Sequence, residues 1–289
     1  MQRTSFNTLF LILQIATVAV FLGRAWQHLY WDAPYRVLLW DESWMRPIIE
    51  GIFQTKWEDY VTNLDVDKGI QTFIRCTGGF YVLCAIMAML IQKFKKVAII
   101  ILWMGAASLF LLASLYAKDR FFQAAQLLEY ALQFSTPVFL IILYKQQAVS
   151  QRLIFAMKIA IALTFTCHGM YAIGFGNAQR SVEFMNMTMS ILHVSERGAV
   201  YFLKTVGILD IIASILIFLP FRIAVVALWY CVGWGMLTCI ARMWSHFYLE
   251  NWQGTLLQWL HESVYRFPHF LIPLFVVLVI WYWRRDEKL

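Results

Sequence analysis

The segment Val97–Ala117, VAIIILWMGAASLFLLASLYA, is a run of 21 residues without a charged side chain. An α-helix rises about 1.5 Å per residue, so a run of this length crosses the roughly 30 Å hydrocarbon core of a bilayer. The segment therefore predicts a transmembrane helix rather than a buried helix of a soluble domain.

Similar apolar runs recur along the whole chain of 289 residues. The chain is 61% hydrophobic and only 14% charged, whereas a soluble domain has about 25% charged residues. With a mean hydropathy of +0.63, this excludes a disordered chain, a secreted disulfide scaffold and an ordinary soluble enzyme. We predict an all-α polytopic membrane protein of about eight transmembrane helices, the first of them retained rather than cleaved as a signal peptide. The predicted spans are Phe6–Tyr30, Ile70–Ile91, Val97–Ala117, Tyr130–Tyr144 (starting earlier, near Gln123), Leu153–Phe175, Gly198–Pro220, Ile223–Ser245 and Phe267–Trp283.

The charges between these runs predict the topology. Basic residues such as Lys95, Arg152 and Arg222 lie in one set of connections, and most acidic residues lie in the other. Because basic loops stay in the cytoplasm, we expect a protein of the plasma (inner) membrane with both termini cytoplasmic. The connection 31–69 is then outside, and its portion Asp41–Phe53 predicts an interfacial or re-entrant helix, with a plain solvated loop as the alternative.

Neither the net charge nor the cysteines indicate binding of a nucleic acid or of a metal ion. The formal net charge is +7, but the basic residues form no dense stripe, so we expect no nucleic-acid binding. The five cysteines lie inside apolar stretches without a CxxC spacing, as expected for packing residues rather than metal ligands.

Two halves of the chain match in order, which predicts a tandem duplication. Arg75-Cys76-Thr77-Gly78 aligns with Lys204-Thr205-Val206-Gly207, and the sequence from Glu129 to Phe134 aligns with that from Glu262 to Phe267. Leu102-Trp103 aligns with Leu228-Trp229, and Arg36 falls near Arg180. We expect two pseudo-symmetric four-helix units, 1–148 and 149–289, related by an axis along the membrane normal. Chance similarity between aromatic-rich spans is the alternative.

Such a four-span unit, with a long first outer loop and a basic residue before glycine in its second span, resembles the DoxX-like superfamily. The stretch Cys167-His168-Gly169-Met170-Tyr171, followed by Gly207-Ile208-Leu209-Asp210, carries most of the resemblance. Two fused units would cover the whole chain. The resemblance implies a helical membrane fold and a connection with quinone-linked membrane complexes.

Ionisable residues inside spans suggest a binding site, because a charge in the bilayer is costly unless it is paired or hydrated. Most of them fall in the predicted outer half of their helices, and Arg24 and His28 share one helix face. For Arg75 and Lys204 the alternative is snorkelling to the interface. Asp210 is expected to pair with Arg75 or His168. Nine residues are predicted to line one outward-facing pocket: Arg24, Trp26, His28, Trp31, Asp32, Arg75, His168, Lys204 and Asp210.

The ligand expected for this pocket is a quinone or a bound phospholipid. The tryptophans are also typical of an interfacial belt, and haem ligation by His28 and His168 is a further alternative, although no CxxCH motif occurs. We expect a binding or accessory subunit that contacts membrane lipids and other membrane or periplasmic subunits. A membrane subunit of a quinone-linked oxidoreductase and a small-anion transporter are the alternatives, and the sequence shows no self-sufficient catalytic motif.

Overall fold

The computed structural model describes residues 3–175 and 181–286, and the side chains of residues 6–175 and 181–283. The described backbone is helical and contains no β-strand. The α-helices in chain order are α1 (Arg3–Tyr30), α2 (Arg36–Leu39), α3 (Glu42–Gly51), α4 (Trp57–Thr62), α5 (Leu64–Met89), α6 (Ile91–Asp119), α7 (Ala124–Leu128), α8 (Ala131–Gln146), α9 (Gln151–Ile173), α10 (Val182–Leu192), α11 (Glu196–Leu216), α12 (Phe221–Trp244), α13 (Trp252–Val264) and α14 (Pro268–Asp286).

Eight helical segments are long and apolar enough to cross a membrane, which confirms the all-α polytopic prediction. They are α1, α5, α6, α7 with α8, α9, α11, α12 and α13 with α14. The second span begins earlier than predicted, at Leu64, because the Asn63 side chain caps the helix by accepting a hydrogen bond from the backbone N–H of Asp65. A helix was expected within Asp41–Phe53, and α3 is that helix.

The fourth and eighth spans are each broken into two helices. The fourth is interrupted at Glu129 and Tyr130, between α7 and α8, and the eighth at residues 265–267, between α13 and α14. The sequence placed the start of the fourth span correctly near Gln123, but it predicted neither interruption nor the separate helix α13. Both breaks lie next to buried polar side chains, described below.

The two ends of the helix bundle differ. At one end, the connections after the first and fifth spans contain the short helices α2, α3, α4 and α10, and the fourth and eighth spans begin with the separate helices α7 and α13. At the other end, three connections are tight: Leu90, residues 147–150 and residues 217–220. We call the first the helical end and the second the tight-turn end. The helical end corresponds to the side that the charge distribution predicts to be outside.

Four spans form the centre of the bundle. Helices α8 and α14 contact each other and both contact α1 and α9, whereas α5, α6, α11 and α12 lie at the periphery. The most apolar windows of the central spans are 50 to 61% buried, against 33 to 39% for the peripheral ones. The core between the central helices is aliphatic and aromatic, with fully buried Leu13, Leu140, Ile161 and Phe275. Buried polar groups among these helices are therefore costly unless they find partners.

Two glycines mark close contacts between helices. A Cβ atom added at Gly78 of α5 would lie 2.8 Å from Cγ of Leu29 and 3.2 Å from the carbonyl oxygen of Ala25, both on α1. A Cβ atom at Gly207 of α11 would lie 2.7 Å from the carbonyl oxygen of Gly169 on α9. The predicted sequence repeat aligns these two glycines. Gly78 allows close packing of α5 on α1, and Gly207 allows close packing of α11 on α9.

The expected duplication stays a prediction. The helix pairs that pack within 1–148 have counterparts within 149–289, and the boundary between the two units falls in the connection 147–150. The expected equivalence of Arg36 with Arg180 cannot be compared, since Arg180 lies outside the described residues.

Candidate functional site

Arg24 is the largest fully buried side chain in the described part of the protein. Its guanidinium donates two hydrogen bonds to Oε1 of Gln133, at 3.1 Å from Nε and 2.6 Å from Nη2, and a third to Oε1 of Gln27 at 2.7 Å. Among the described side chains, no carboxylate lies within 4 Å of it. Neutral amide oxygens therefore satisfy this charge.

Three tyrosine rings complete the surroundings of Arg24. Its guanidinium carbon lies 3.8 Å from the ring centroid of Tyr265, 5.2 Å from that of Tyr130 and 5.6 Å from that of Tyr116. A cation held over aromatic faces is stabilised by the ring quadrupoles, more so when water is excluded. We call Arg24, Gln27, Gln133 and these three tyrosines the arginine cluster.

His28 shares the inward face of α1 with Arg24, as the helical spacing predicted. Its Nδ1–H donates to the carbonyl oxygen of Arg24 at 2.7 Å, and Nε2 lies 3.4 Å from the hydroxyl of Tyr35. The imidazole is fully buried and packs edge-on against Tyr81. His28 is therefore tied into the protein interior rather than presented to a cavity.

The other predicted residues near the end of α1 face outward or other helices. Asp32 is exposed and pairs with Arg36 at 3.0 Å. Trp31 is exposed, whereas the indole N–H of Trp26 donates to the carbonyl oxygen of Leu257 on α13 at 3.1 Å. These contacts anchor the helical end of α1.

Arg75 and Lys204 are both exposed on the peripheral helices α5 and α11. The structure does not bring these two residues together with Arg24, which is buried inside the bundle. Their long stems and outward placement agree with the snorkelling alternative.

A cavity of about 430 Å³ lies between α9, α11, α12, α14 and the short helix α10. Its wall is mostly apolar and aromatic, a composition typical of sites for small apolar ligands, which span about 300 to 1,000 Å³. Four of its charged or imidazole side chains, Arg242, Arg266, His168 and His269, lie close together, and we call this part of the wall its polar side. The other lining residues used below are Asp210, Trp234, Ala241 and Trp244.

Asp210 is buried at the cavity wall, and its partner differs from the two we expected. Its Oδ1 accepts a hydrogen bond from the hydroxyl of Tyr230 at 2.8 Å. Arg75 is exposed on another helix, and His168 pairs elsewhere. A neighbouring phenol on α12 therefore takes the place of the expected cation.

A continuous series of polar contacts crosses the helices on the polar side of the cavity. Arg242 pairs with Glu183 of α10 at 2.7 Å and with Glu262 of α13 at 3.4 Å, and Glu262 pairs with Arg266 at 3.1 Å. We call this series the polar chain. It also includes His269, His168 and Glu129, whose contacts continue it. Its seven members belong to five helices and two helix breaks, so the polar chain fixes the relative positions of these elements.

The histidines carry the polar chain on to the first half of the protein. Nδ1 of His269 donates to the carbonyl oxygen of Arg266 at 2.8 Å, and its Nε2 lies 3.4 Å from Nε2 of His168. Nδ1 of His168 lies 3.8 Å from Oε2 of Glu129, at the break between α7 and α8. Two of the nine residues predicted for the pocket, His168 and Asp210, thus line the cavity.

Most residues of the polar chain are not among the nine predicted for the pocket. Glu129 and Glu262 entered the sequence reasoning only through the repeat, and Arg266 and His269 did not enter it as candidates. The signal that was available is the sequence Glu262-Ser-Val-Tyr-Arg-Phe-Pro-His269, in which charged residues surround the proline that restarts the helix. No group of three or more histidine, cysteine, aspartate or glutamate side chains in the described ranges has the arrangement of a metal site.

Comparison with models of known protein families, with curated proteins and with solved structures gives no match to this chain.

Proposed function

We propose that this integral membrane protein binds an amphipathic molecule in the cavity between α9, α11, α12 and α14. The observation that carries the proposal is a mostly apolar wall in which Arg242, Arg266, His168 and His269 lie close together. The apolar wall accommodates the tail or ring of such a molecule, because both surfaces are apolar and neither has to be dehydrated. The polar side chains then orient the head of the ligand.

The chemistry of the polar side favours a head that accepts hydrogen bonds. Arg242 and Arg266 supply donors, and their charges are offset by Glu183 and Glu262. A ligand with an additional full negative charge is not required for balance. A quinone carbonyl and the ester or phosphate oxygens of a phospholipid share this acceptor chemistry on a long apolar tail.

Binding is a better proposal than anion transport. The broken fourth and eighth spans are a feature found in transporters. However, the three cations expected to attract an anion do not meet, because Arg24 is enclosed by the arginine cluster while Arg75 and Lys204 are exposed. Membership of the DoxX-like superfamily and an accessory role beside other subunits remain part of this proposal, supported by the four-span pattern in the sequence.

Extraction and mass spectrometry of the protein purified from native membranes test the proposal and separate its two sources. A quinone or one phospholipid species enriched over the bulk membrane is the expected result. Ala241→Phe, which places a ring in the cavity, should abolish the enrichment, whereas Val226→Phe on the exposed face of the same helix should not. A lipid and quinone content equal to that of the membrane for all three proteins contradicts the proposal.

Added ligands give a second measurement. Decylubiquinone and a brominated phosphatidylcholine both quench tryptophan fluorescence at short range, and Trp234 and Trp244 line the cavity. The true ligand class should quench saturably in the wild type and much less in Trp234→Phe. Co-purifying protein subunits identified in the same preparation test the accessory role independently.

A further inference from the structure

The hydrogen bonds of His269 fix the positions of its protons. Its Nδ1 faces the carbonyl oxygen of Arg266 at 2.8 Å, and a carbonyl oxygen only accepts. The proton of a neutral His269 is therefore on Nδ1, and its Nε2 carries the lone pair.

This assignment determines the tautomer of the next ring. Nε2 of His168 lies 3.4 Å from the lone pair on Nε2 of His269, so His168 must be the donor in this pair. A neutral His168 then carries its proton on Nε2 and a lone pair on Nδ1.

The lone pair of His168 faces a carboxyl group. Oε2 of Glu129 lies 3.8 Å from Nδ1, and the side chains of Glu129 and His168 are only 13% and 26% exposed. A carboxylate and an unprotonated nitrogen repel each other in such a site. One proton removes the repulsion, held either by the carboxyl group of Glu129 or by Nδ1, as an imidazolium beside a carboxylate.

We propose that Glu129 and His168 share one proton, and that this proton couples ligand binding in the cavity to pH. His168 lines the cavity, whereas Glu129 lies behind it at the break between α7 and α8. The imidazole thus connects a bound head group with a carboxyl group outside the cavity. The coupling rests on the proposed function, but the shared proton does not.

Other titratable groups surround this pair on every neighbouring element. Arg266 and His269 lie on the α13–α14 side, Arg242 on α12, and Tyr130 beside Glu129. Those that complete the surroundings are Glu262 of α13, Glu183 of α10, Asp210 of α11, and Cys167 and Tyr171 of α9. The two arginines are already paired with Glu183 and Glu262, so their charges are largely balanced.

The direction of the coupling follows from the donor that the ligand meets. A head that takes the place of His269 as the acceptor of the Nε2 proton of His168 is bound more strongly when the ring is an imidazolium, with the shared proton on Nδ1 and Glu129 ionised. At pH values at which the free protein has lost the shared proton, binding of the ligand is therefore accompanied by uptake of one proton. By linkage, the dissociation constant rises with pH above that point, by at most about tenfold per pH unit for one proton.

The binding experiment uses the full chain in lipid nanodiscs with decylubiquinone as the probe, titrated by tryptophan quenching at a series of pH values. The wild type should lose affinity at high pH with a slope of up to about tenfold per unit. Glu129→Gln keeps the size of the side chain but can donate to Nδ1 permanently, so its affinity should not vary with pH. Glu196→Gln, at an exposed carboxyl on α11, should behave as the wild type does.

The shared proton is tested without any ligand. Nitrogen-15 NMR of histidine-labelled protein, with His168→Gln for assignment, shows which nitrogens of the ring carry protons. A proton on Nε2 of His168 at every pH, with a second on Nδ1 or a protonated Glu129 at lower pH, supports the proposal. A neutral His168 protonated on Nδ1, or an imidazolium at His269, overturns it.

A negative result in the binding experiment does not decide the NMR experiment, because the first tests the coupling and the second the shared proton. Decylubiquinone that does not bind removes the quinone from the proposed function, while the NMR spectrum still decides whether the proton is shared. Decylubiquinone that binds equally well at all pH values in the wild type overturns the coupling.

Discussion

The ring of Tyr265 lies between two arginines, with the guanidinium carbon of Arg24 3.8 Å and that of Arg266 4.7 Å from its centroid. Arg24 belongs to the arginine cluster and Arg266 to the polar chain. Tyr265 therefore joins the two groups of buried polar residues at the break between α13 and α14. The first span and the last are held together at this point.

The arginine cluster predicts a large cost for removing the acceptor of Arg24. Gln133→Leu leaves a buried guanidinium without the oxygen that accepts two of its hydrogen bonds. We expect the free energy of unfolding to fall by roughly 2 to 4 kcal/mol, measured by denaturant titration in detergent.

The double variant Arg24→Met with Gln133→Leu provides the control for this prediction. It removes both partners, so most of the lost stability should return. A double variant that is as unstable as the sum of the two single changes would show that packing, and not the unpaired charge, is responsible. Arg24→Ala is expected to lower stability rather than ligand occupancy, since Arg24 does not line the cavity.

The sequence predicted that Arg24 and His28 are inward-facing, but not what they contact. The spacing of four residues on an apolar helix is local information, and it was sufficient for the orientation. The partners Gln133 and Tyr265 are distant in the chain and lie at helix breaks that a hydropathy pattern does not show. A buried charge satisfied by neutral amides and rings also lacks the carboxylate that a search for ion pairs looks for.

The close helix contacts predict that alanine at Gly207 destabilises the protein more than alanine at Gly78, the position that the sequence repeat aligns with it. Gly207→Ala places a methyl group 2.7 Å from the backbone oxygen of Gly169, whereas Gly78→Ala first meets the side chain of Leu29. A flexible side chain yields more easily than a backbone. We expect Gly207→Ala to cost about 1 to 3 kcal/mol and Gly78→Ala less.

Gly79→Ala is the matched control, because nothing lies within 4 Å of a Cβ atom at that position. Its melting temperature should equal or exceed that of the wild type, since alanine favours a helix over glycine. An unchanged melting temperature for Gly207→Ala would contradict the tight contact between α9 and α11.

The spans were predictable because each is a long apolar run, and length against bilayer thickness is a strong constraint. The breaks in the fourth and eighth spans were not, because they depend on what surrounds them. At Glu129 and at Arg266, polar side chains enter the bundle where a continuous helix would place apolar ones. The cavity was not predictable either, because one of its walls is α10, a short helix outside the long apolar runs.

The cap of α3 predicts a pH-dependent local structure. A hydrogen bond from Lys118 lowers the pKa of Asp41 from its ordinary 3.8 to about 2, aided by the hydroxyl of Ser43 and the backbone N–H of Trp44. Because the pKa is lowered in the folded state, the contribution is complete above about pH 4 and is lost as the pH falls through about 2.

Hydrogen exchange of the α3 amides measures this effect. Exchange should accelerate as the pH falls across that window, after correction for the intrinsic pH dependence. Asp41→Asn should show faster exchange already at neutral pH, whereas Asp59→Asn, at an exposed site on α4, should not. Equal protection in Asp41→Asn and the wild type would exclude a role for the cap.

The charge distribution predicts that the helical end of the bundle faces outward. In a Cys76→Ser background, which removes the exposed native thiol, single cysteines replace Glu58 at the helical end and Ala148 at the tight-turn end. An impermeant maleimide should label position 58 in intact cells and position 148 only after permeabilisation. Labelling of position 148 alone in intact cells would reverse the orientation.

The contact between Asp210 and Tyr230 predicts that the phenol, and not a cation, stabilises this acid. Tyr230→Phe removes a donor at 2.8 Å and leaves a buried acceptor in a mostly apolar wall. The free energy of unfolding should fall by about 1 to 3 kcal/mol, and Tyr248→Phe, at an exposed tyrosine, should have no effect.

In the double variant Asp210→Leu with Tyr230→Phe both polar partners are gone, so stability should recover, while any ligand that contacts the carboxyl group should bind less. If Tyr230→Phe is as stable as the wild type while Asp210→Asn unfolds, another group must satisfy the acid, and the cavity wall is arranged differently from the contact described above.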